Sequence, residues 1–329
     1  MTLLTASATA SWRGRADSLF ARADADYESG DYSSAADRYG AVLAVIDANG
    51  RPDQSPYFRA LSCRARFLRA RSNEYLDRWD EAIPDYERSL TELSDIADAV
   101  HMRLAACQNG RGDLAAAVVH LRTVIDDESS RLEMPAILAL AGYYEESGDL
   151  DMALQWYRVY LAQADSYDAR ALAHFRIGRV HDERGDERAA LDNYTVAVNE
   201  YPRSAHADDA LTKGRRISRS FTDRYHQGLV LYNRSRFRDA AEFFQHYLRH
   251  DDEGVYDHEA SYFLGRSHQR QGNFRTAVRH YEEAIEFGEN SEYYDLAWSK
   301  LAYCLRACGR TEDSLAAYDR YLAGHPGRE

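Results

Sequence analysis

Small, apolar and polar positions recur along this chain in a pattern locked to a series of turns. Ser-Gly-Asp-Tyr stands at 29–32, Arg-Gly-Asp-Leu at 111–114 and Ser-Gly-Asp-Leu at 147–150. Arg-Gly-Asp-Glu follows at 184–187, Gln-Gly-Asn-Phe at 271–274 and Cys-Gly-Arg-Thr at 308–311. Two degenerate copies, Leu-Asp-Arg-Trp at 76–79 and Arg-Ser-Arg-Phe at 234–237, fill the gaps. The second residue of each marks positions 30, 77, 112, 148, 185, 235, 272 and 309, spaced by 35 to 37 residues except for steps of 47 and 50. Such self-similarity is the signature of a repeat architecture.

Other positions lock to those markers. Seven residues before them stand Ala23, Ala70, Ala105, Ala141, Gly178, Gly228, Gly265 and Ala302. Five residues after come Ala35, Ala82, Ala117, Ala153, Ala190, Ala240, Ala277 and Ser314. Nine after stand Tyr39, Tyr86, Leu121, Tyr157, Tyr194, Phe244, Tyr281 and Tyr318. Each marker is expected to end one helix in a left-handed cap that glycine adopts without steric cost. The neighbouring Asp or Asn is placed to cap the next helix. Small residues on both sides let two antiparallel helices approach closely, and the aromatic is expected to fill the groove between neighbouring hairpins.

These residues resemble the tetratricopeptide repeat: small residue, glycine turn, aromatic, alanine, aromatic. The resemblance covers nearly the whole chain and implies an all-α, right-handed superhelical solenoid of about eight helical hairpins. Pro202 and Pro326 fall 17 residues after their markers, like the repeat's terminal proline, and Trp298 with Leu301 and Ala302 resembles its opening motif. Arg69, where an apolar residue is expected, suggests a one-residue irregularity. Insertions are expected near Asp47–Pro56 and Arg203–Ser220, the second holding an extra helix that Gly214 breaks. That helix divides the chain into repeats 1–5 (1–202) and a linker helix with repeats 6–8 (203–329) of one continuous superhelix.

From residue 201 onward the chain also resembles bacterial cell-envelope repeat proteins, including the non-catalytic helical region of soluble lytic transglycosylases. In that family a separate C-terminal domain carries the catalytic glutamate; here the residues after 205 are all assigned to repeats. Two readings follow. One is a non-enzymatic scaffold binding a protein or peptide along its concave groove. The other is a superhelical module of a larger enzyme acting on peptidoglycan. The end at His325-Pro326, without a polar capping helix, favours the second reading.

In this family the first helix of each hairpin lines the groove, which implies positions 13, 10, 6 and 3 before the markers. They yield Arg64, Arg71, Phe175, Arg179, Tyr225, Tyr232, Tyr262, Arg266 and Tyr303, with Asp182 and Glu259 among them. Arginine and tyrosine suit a carboxylate-bearing peptide or a glycan stacked on aromatics. The family's Lys and Asn carboxylate clamp is not reproduced. The bland alternative is that these side chains solvate a helix face or pair with nearby acids.

Charge narrows the partners further. With 41 basic and 54 acidic residues the net charge is −13, the wrong sign for a general nucleic-acid binder. Lys213 and Lys300 are the only lysines. The run Lys213, Arg215, Arg216, Arg219 and Arg224 has the chemistry for phosphates, but Asp208, Asp209 and Asp223 flank it, which favours a solvated linker helix.

No cofactor is implied. His246 and His250 share a helix face near Asp251 and Asp252, yet a metal needs a third converging ligand. Cys63, Cys107, Cys304 and Cys308 form no C-x-x-C pair, and the last two lie one helical turn apart, as packed core thiols do. There is no phosphate-binding glycine loop and no nucleophile elbow. No stretch reaches the roughly 20 apolar residues of a membrane span. The N-terminal decapeptide is not a signal peptide as it stands, and the compartment, cytoplasmic or cell envelope, stays open.

Overall fold

A computed structural model describes residues 2–49, 56–92, 94–218, 221–250, 254–287 and 293–323, with side chains from residue 12 onward. Within these residues there are 17 α-helices and no strand. They pair as α1 (Thr2–Ser29) with α2 (Tyr32–Asn49), α3 (Pro56–Tyr75) with α4 (Trp79–Glu92), and α5 (Ala97–Gly110) with α6 (Leu114–Ile125). Next come α7 (Glu133–Glu146) with α8 (Leu150–Gln163) and α9 (Tyr167–Glu183) with α10 (Glu187–Asn199). The unpaired α11 (Ala205–Ile217) precedes α12 (Arg224–Asn233) with α13 (Phe237–His250), α14 (Asp257–Arg270) with α15 (Phe274–Glu286), and α16 (Tyr294–Ala307) with α17 (Thr311–Ala323).

Every hairpin turns at a marker. Gly30, Gly112, Gly148, Gly185, Gly272 and Gly309 have φ between 77° and 87°, and the degenerate markers Asp77 and Ser235 adopt φ of 55° and 61°. The sequence repeat is therefore a backbone repeat, held even where a side chain strains it. Asp31, Asp113, Asp149 and Asp186 each accept from the backbone N–H three residues on, capping the second helix.

The recurring aromatics serve two contacts. Phe244 stacks on Phe263 of the next hairpin at 5.9 Å, and Tyr39 and Tyr86 share core clusters with the following hairpin. Where the small position of the first helix is glycine, the ring also lies directly over it. A Cβ added to Gly178 would stand 2.7 Å from the Tyr194 ring, one on Gly228 2.6 Å from Phe244, and one on Gly265 3.0 Å from Tyr281. Several hydroxyls then tie back across the hairpin: Tyr86 donates to Glu74 (2.5 Å), Tyr157 to Glu145 (2.7 Å) and Tyr281 to Gln269 (2.6 Å). Burial, joined at Tyr86 by the Glu74 carboxylate and opposed at Tyr281 by Arg266, pushes both hydroxyls far above the ordinary tyrosine range.

The chain divides into two compact units, Met1–Tyr160 and Leu161–Glu329, with the division inside α8. In the first unit the second helix of one hairpin packs on the first helix of the next, α2 on α3, α4 on α5 and α6 on α7. Arg69 causes no register slip: it grips Asp85 of α4 through two 2.7 Å bonds, and Ala70 beside it stays fully buried. A bidentate ion pair stands in for the apolar contact.

In the second unit α9, α11, α12, α14 and α16 pack successively, each against the next. Gly214 does not break α11, which runs on to Ile217. Its missing side chain instead admits the buried ring of Phe221, as Gly178 admits Tyr194. α11 is thus the first helix of a half repeat, and in place of a second helix the chain returns to α12 through Phe221 and Thr222, the latter with φ of 50°. Gln227 donates to the carbonyls of Phe221 (2.9 Å) and Thr222 (3.0 Å), and Thr222 donates to Asn199 (2.6 Å), pinning that return. The insertion residues 50–55, Arg219, Asp251, Asp252 and Pro326 lie outside the described residues.

Candidate functional site

The residues implied for ligand contact separate into three groups. Phe175, Tyr225 and Tyr262 are core: Tyr225 stacks on Tyr256 at 4.4 Å, Tyr262 on Tyr293 at 4.8 Å, and Phe175 on His206 at 6.1 Å. Each ring reaches the start of the following first helix. These rings, ten residues before the markers, fill the space between successive first helices in this unit.

A second group ties first helices together. Arg64 pairs with Asp24 at 3.1 Å, and Arg71 donates to Tyr75 at 3.0 Å while its guanidinium lies over the Tyr27 and Tyr75 rings. Arg266 donates to Tyr232 at 3.3 Å and Gln269 at 3.4 Å. Burial opposes the Arg266 charge, but the tyrosine rings and hydroxyl around it raise its pKa. Glu259 meets His258 at 2.8 Å. Arg64 and Arg71 belong to the first unit and the other candidate residues to the second.

The third group opens to solvent. Tyr303 is exposed beside Phe274. Arg179 lines a cavity of about 560 Å³ with Phe175, Asp182, Glu183, Lys213 and Arg216, between α9 and α11. On the other flank of α11, Thr212, Arg215, Arg216 and Arg224 line a second cavity of about 590 Å³. Arg216 belongs to both and is ion-paired with Asp182. Together the two linings hold five cations and two carboxylates on a chain of net charge −13.

The acids that flank this run have partners of their own. Asp208 faces Arg234 at 3.4 Å and Asp209 faces His206 at 4.0 Å. Asp223 caps α12 and binds the His226 ring at 2.7 Å. Burial by itself would raise the Asp223 carboxyl; bonds from His226 outweigh it and hold the group below the usual carboxylate range. On α11 Asp209 stands one turn before Lys213 and two turns before Arg216, on their face of the helix, and pairs with His206 at the helix start. The basic run and the groove positions Phe175, Arg179 and Asp182 hinted at this site in the sequence.

Among the described residues no three His, Cys, Asp or Glu side chains gather to hold a metal. The His246 and His250 rings lie 4.5 Å apart on the surface. Burial pushes the Cys63 thiol up to about 11 and those of Cys107 and Cys304 to about 12, so they stay protonated near neutrality. No described helix is long and apolar enough to cross a membrane.

Two tetratricopeptide-repeat family models match the chain, one at residues 172–204 and the other at 225–291 and 262–329. Neither is a catalytic family. No curated protein matches. A solved tetratricopeptide repeat protein from Parabacteroides merdae aligns at 12% identity, covering 81% of this chain and 94% of its own, with a TM-score of 0.36. The C-terminal part of a repeat-containing protein from Cytophaga hutchinsonii aligns at 15% identity over 94% and 96%, TM-score 0.37. The apo quorum sensor NprR from B. thuringiensis aligns at 13% over 93% and 86%, TM-score 0.39. None of these findings carries the resemblance to cell-envelope proteins or lytic transglycosylases. Residues 172–204 and 225–329 thus belong to the tetratricopeptide-repeat family, and the hairpins before them carry the same turn, small and aromatic positions.

Proposed function

We propose that the protein is a non-enzymatic scaffold that holds a protein partner by an acidic, extended segment lying across α9 and α11. The observation that carries this reading is the paired cationic cavities sharing Arg216. A repeat array offers a long row of helices, and affinity comes from a few side chains that meet complementary charge. Arg179 and Lys213 supply that charge on either side of the Arg216–Asp182 pair. Arginine forks recognise carboxylates bidentately, each such bond being worth about 1.5–3 kcal/mol. A glycan stacked on aromatics has less support, since Phe175, Tyr225 and Tyr262 are buried.

The test is fluorescence anisotropy with a labelled glutamate-rich decapeptide in low salt. The wild type should bind and weaken as salt rises, while the Lys213→Glu, Arg216→Gln double variant loses roughly tenfold or more, the free energy of one charged hydrogen bond. Equal affinity for a matched lysine-rich peptide, or an unchanged affinity in the folded double variant, overturns the reading.

A further inference from the structure

We propose that the cavity formed by Thr212, Arg215, Arg216 and Arg224 is a binding site for a phosphate monoester, delivered as a phosphorylated side chain of the partner's acidic segment. This rests on the acidic-segment reading and adds a chemical preference to it. The lining holds three guanidinium groups and one hydroxyl and no carboxylate. Its neighbouring acids are engaged elsewhere, Asp208 with Arg234, Asp209 with His206 and Asp223 with His226.

The cations are also positioned in advance. Arg215 and Arg224 each lie 5.3 Å from the centre of one ring, that of the half-buried Phe243. Arg216 is steered by Asp182. Arg224 begins α12, directly after the Asp223 cap, and the pinned return at Phe221 and Thr222 brings it beside α11. Stacked guanidinium groups lose less freedom when they bind, and their forks match phosphate oxygens.

Arg216 is shared with Asp182, and the two remaining guanidinium groups still exceed what one carboxylate, with a single charge and two oxygens, can use. A phosphate monoester carries about −1.5 to −2 at pH 7 on three acceptor oxygens, and the Thr212 hydroxyl adds a donor. A single phosphate on a peptide also fits the charge of the molecule. A nucleic acid or an anionic bilayer would bring many negative charges against a net charge of −13. From α13, Arg224 meets the Phe243 ring and lies close enough to His246 for their charges to interact.

Three labelled peptides test this, identical except for a central phosphoserine, serine or glutamate between glutamate flanks, with inorganic phosphate and an oligouridylate decamer as competitors. The phosphoserine peptide should bind about tenfold tighter than the other two, as one extra charged bond predicts. Its advantage should grow from pH 5.5 to 7.5, as the second phosphate proton leaves near pH 6. An Arg215→Gln, Arg224→Gln variant should weaken all three peptides and level them, the phosphoserine peptide losing about tenfold more than the glutamate peptide. Equal affinities for phosphoserine and glutamate peptides overturn the phosphate site and leave the acidic-segment reading standing. Binding of none of the three overturns both. Inorganic phosphate or the decamer competing as well as the phosphopeptide itself overturns the peptide assignment.

Discussion

One methyl group separates tolerated from forbidden packing inside these hairpins. Gly178 and Gly228 face rings so closely that a Cβ would stand 2.7 Å and 2.6 Å away, whereas Ala occupies the same position in five other hairpins. Gly178→Ala must push Tyr194 out of place, so urea denaturation should show a loss of about 1–3 kcal/mol, the usual penalty of overpacking. A stability equal to wild type would mean that the ring moves aside without cost. Asp85 poses the opposite case, a buried carboxylate held by Arg69 through two 2.7 Å bonds. Removing one partner of a fully buried pair costs about 3–5 kcal/mol. Because the Arg69 side chain is one-third exposed, Asp85→Asn should cost roughly half of that, measured the same way. The small positions and the turns could be read from spacing alone. The partner of Arg69 could not, since it stands on another helix.

Among the helices, α11 carries the proposed site. It has no second helix to pack on, and the Phe221 ring seated over Gly214 substitutes for one. Gly214→Ala collides with that ring and should both destabilise the protein and weaken the glutamate-rich peptide, because Arg215 and Arg216 move with α11. Loss of stability with undiminished peptide affinity would detach the helix from the site. α12 depends on its Asp223 cap, which accepts from the His226 N–H at 2.9 Å. Asp223→Ala should therefore cost about 1 kcal/mol and let Arg224 drift from Phe243. A glycine inside a linker reads locally as a helix breaker, which is why the sequence pointed the wrong way here. Its permissive backbone is unused at this position, and its missing side chain is what the packing requires.

For the molecule as a whole, buried and half-buried histidines set the response to acid. Burial holds His101, His120, His268 and His280 below the ordinary value of 6.5, with Asp98 and Glu283 acting weakly against it at His101 and His280. The unfolded chain then binds more protons than the native one, so stability is full above about pH 6.5 and falls as the pH drops below it. Thermal unfolding should start at visibly lower temperature at pH 5.5 than at 7.5. A His101→Gln, His120→Gln variant, which removes the pair whose Nδ1 atoms lie 3.0 Å apart, should flatten that dependence. A melting temperature that does not change between the two pH values contradicts the assignment.

The register of turns, small residues and rings was legible in the sequence because each obeys a local rule. A left-handed cap wants glycine, a close crossing wants no bulk, and both recur at fixed spacing. Even the degenerate markers Asp77 and Ser235 were found by spacing and adopt the same positive φ. What each side chain faces depends on three-dimensional packing. That packing buried Phe175, Tyr225 and Tyr262 between first helices and turned Arg64 and Arg266 into ties. It also drew Asp208 and Asp223 to Arg234 and His226, which leaves the arginines of α11 facing a cavity without a carboxylate. Charge counted along a chain averages over helix faces, whereas a binding site is one face, and only the fold selects it.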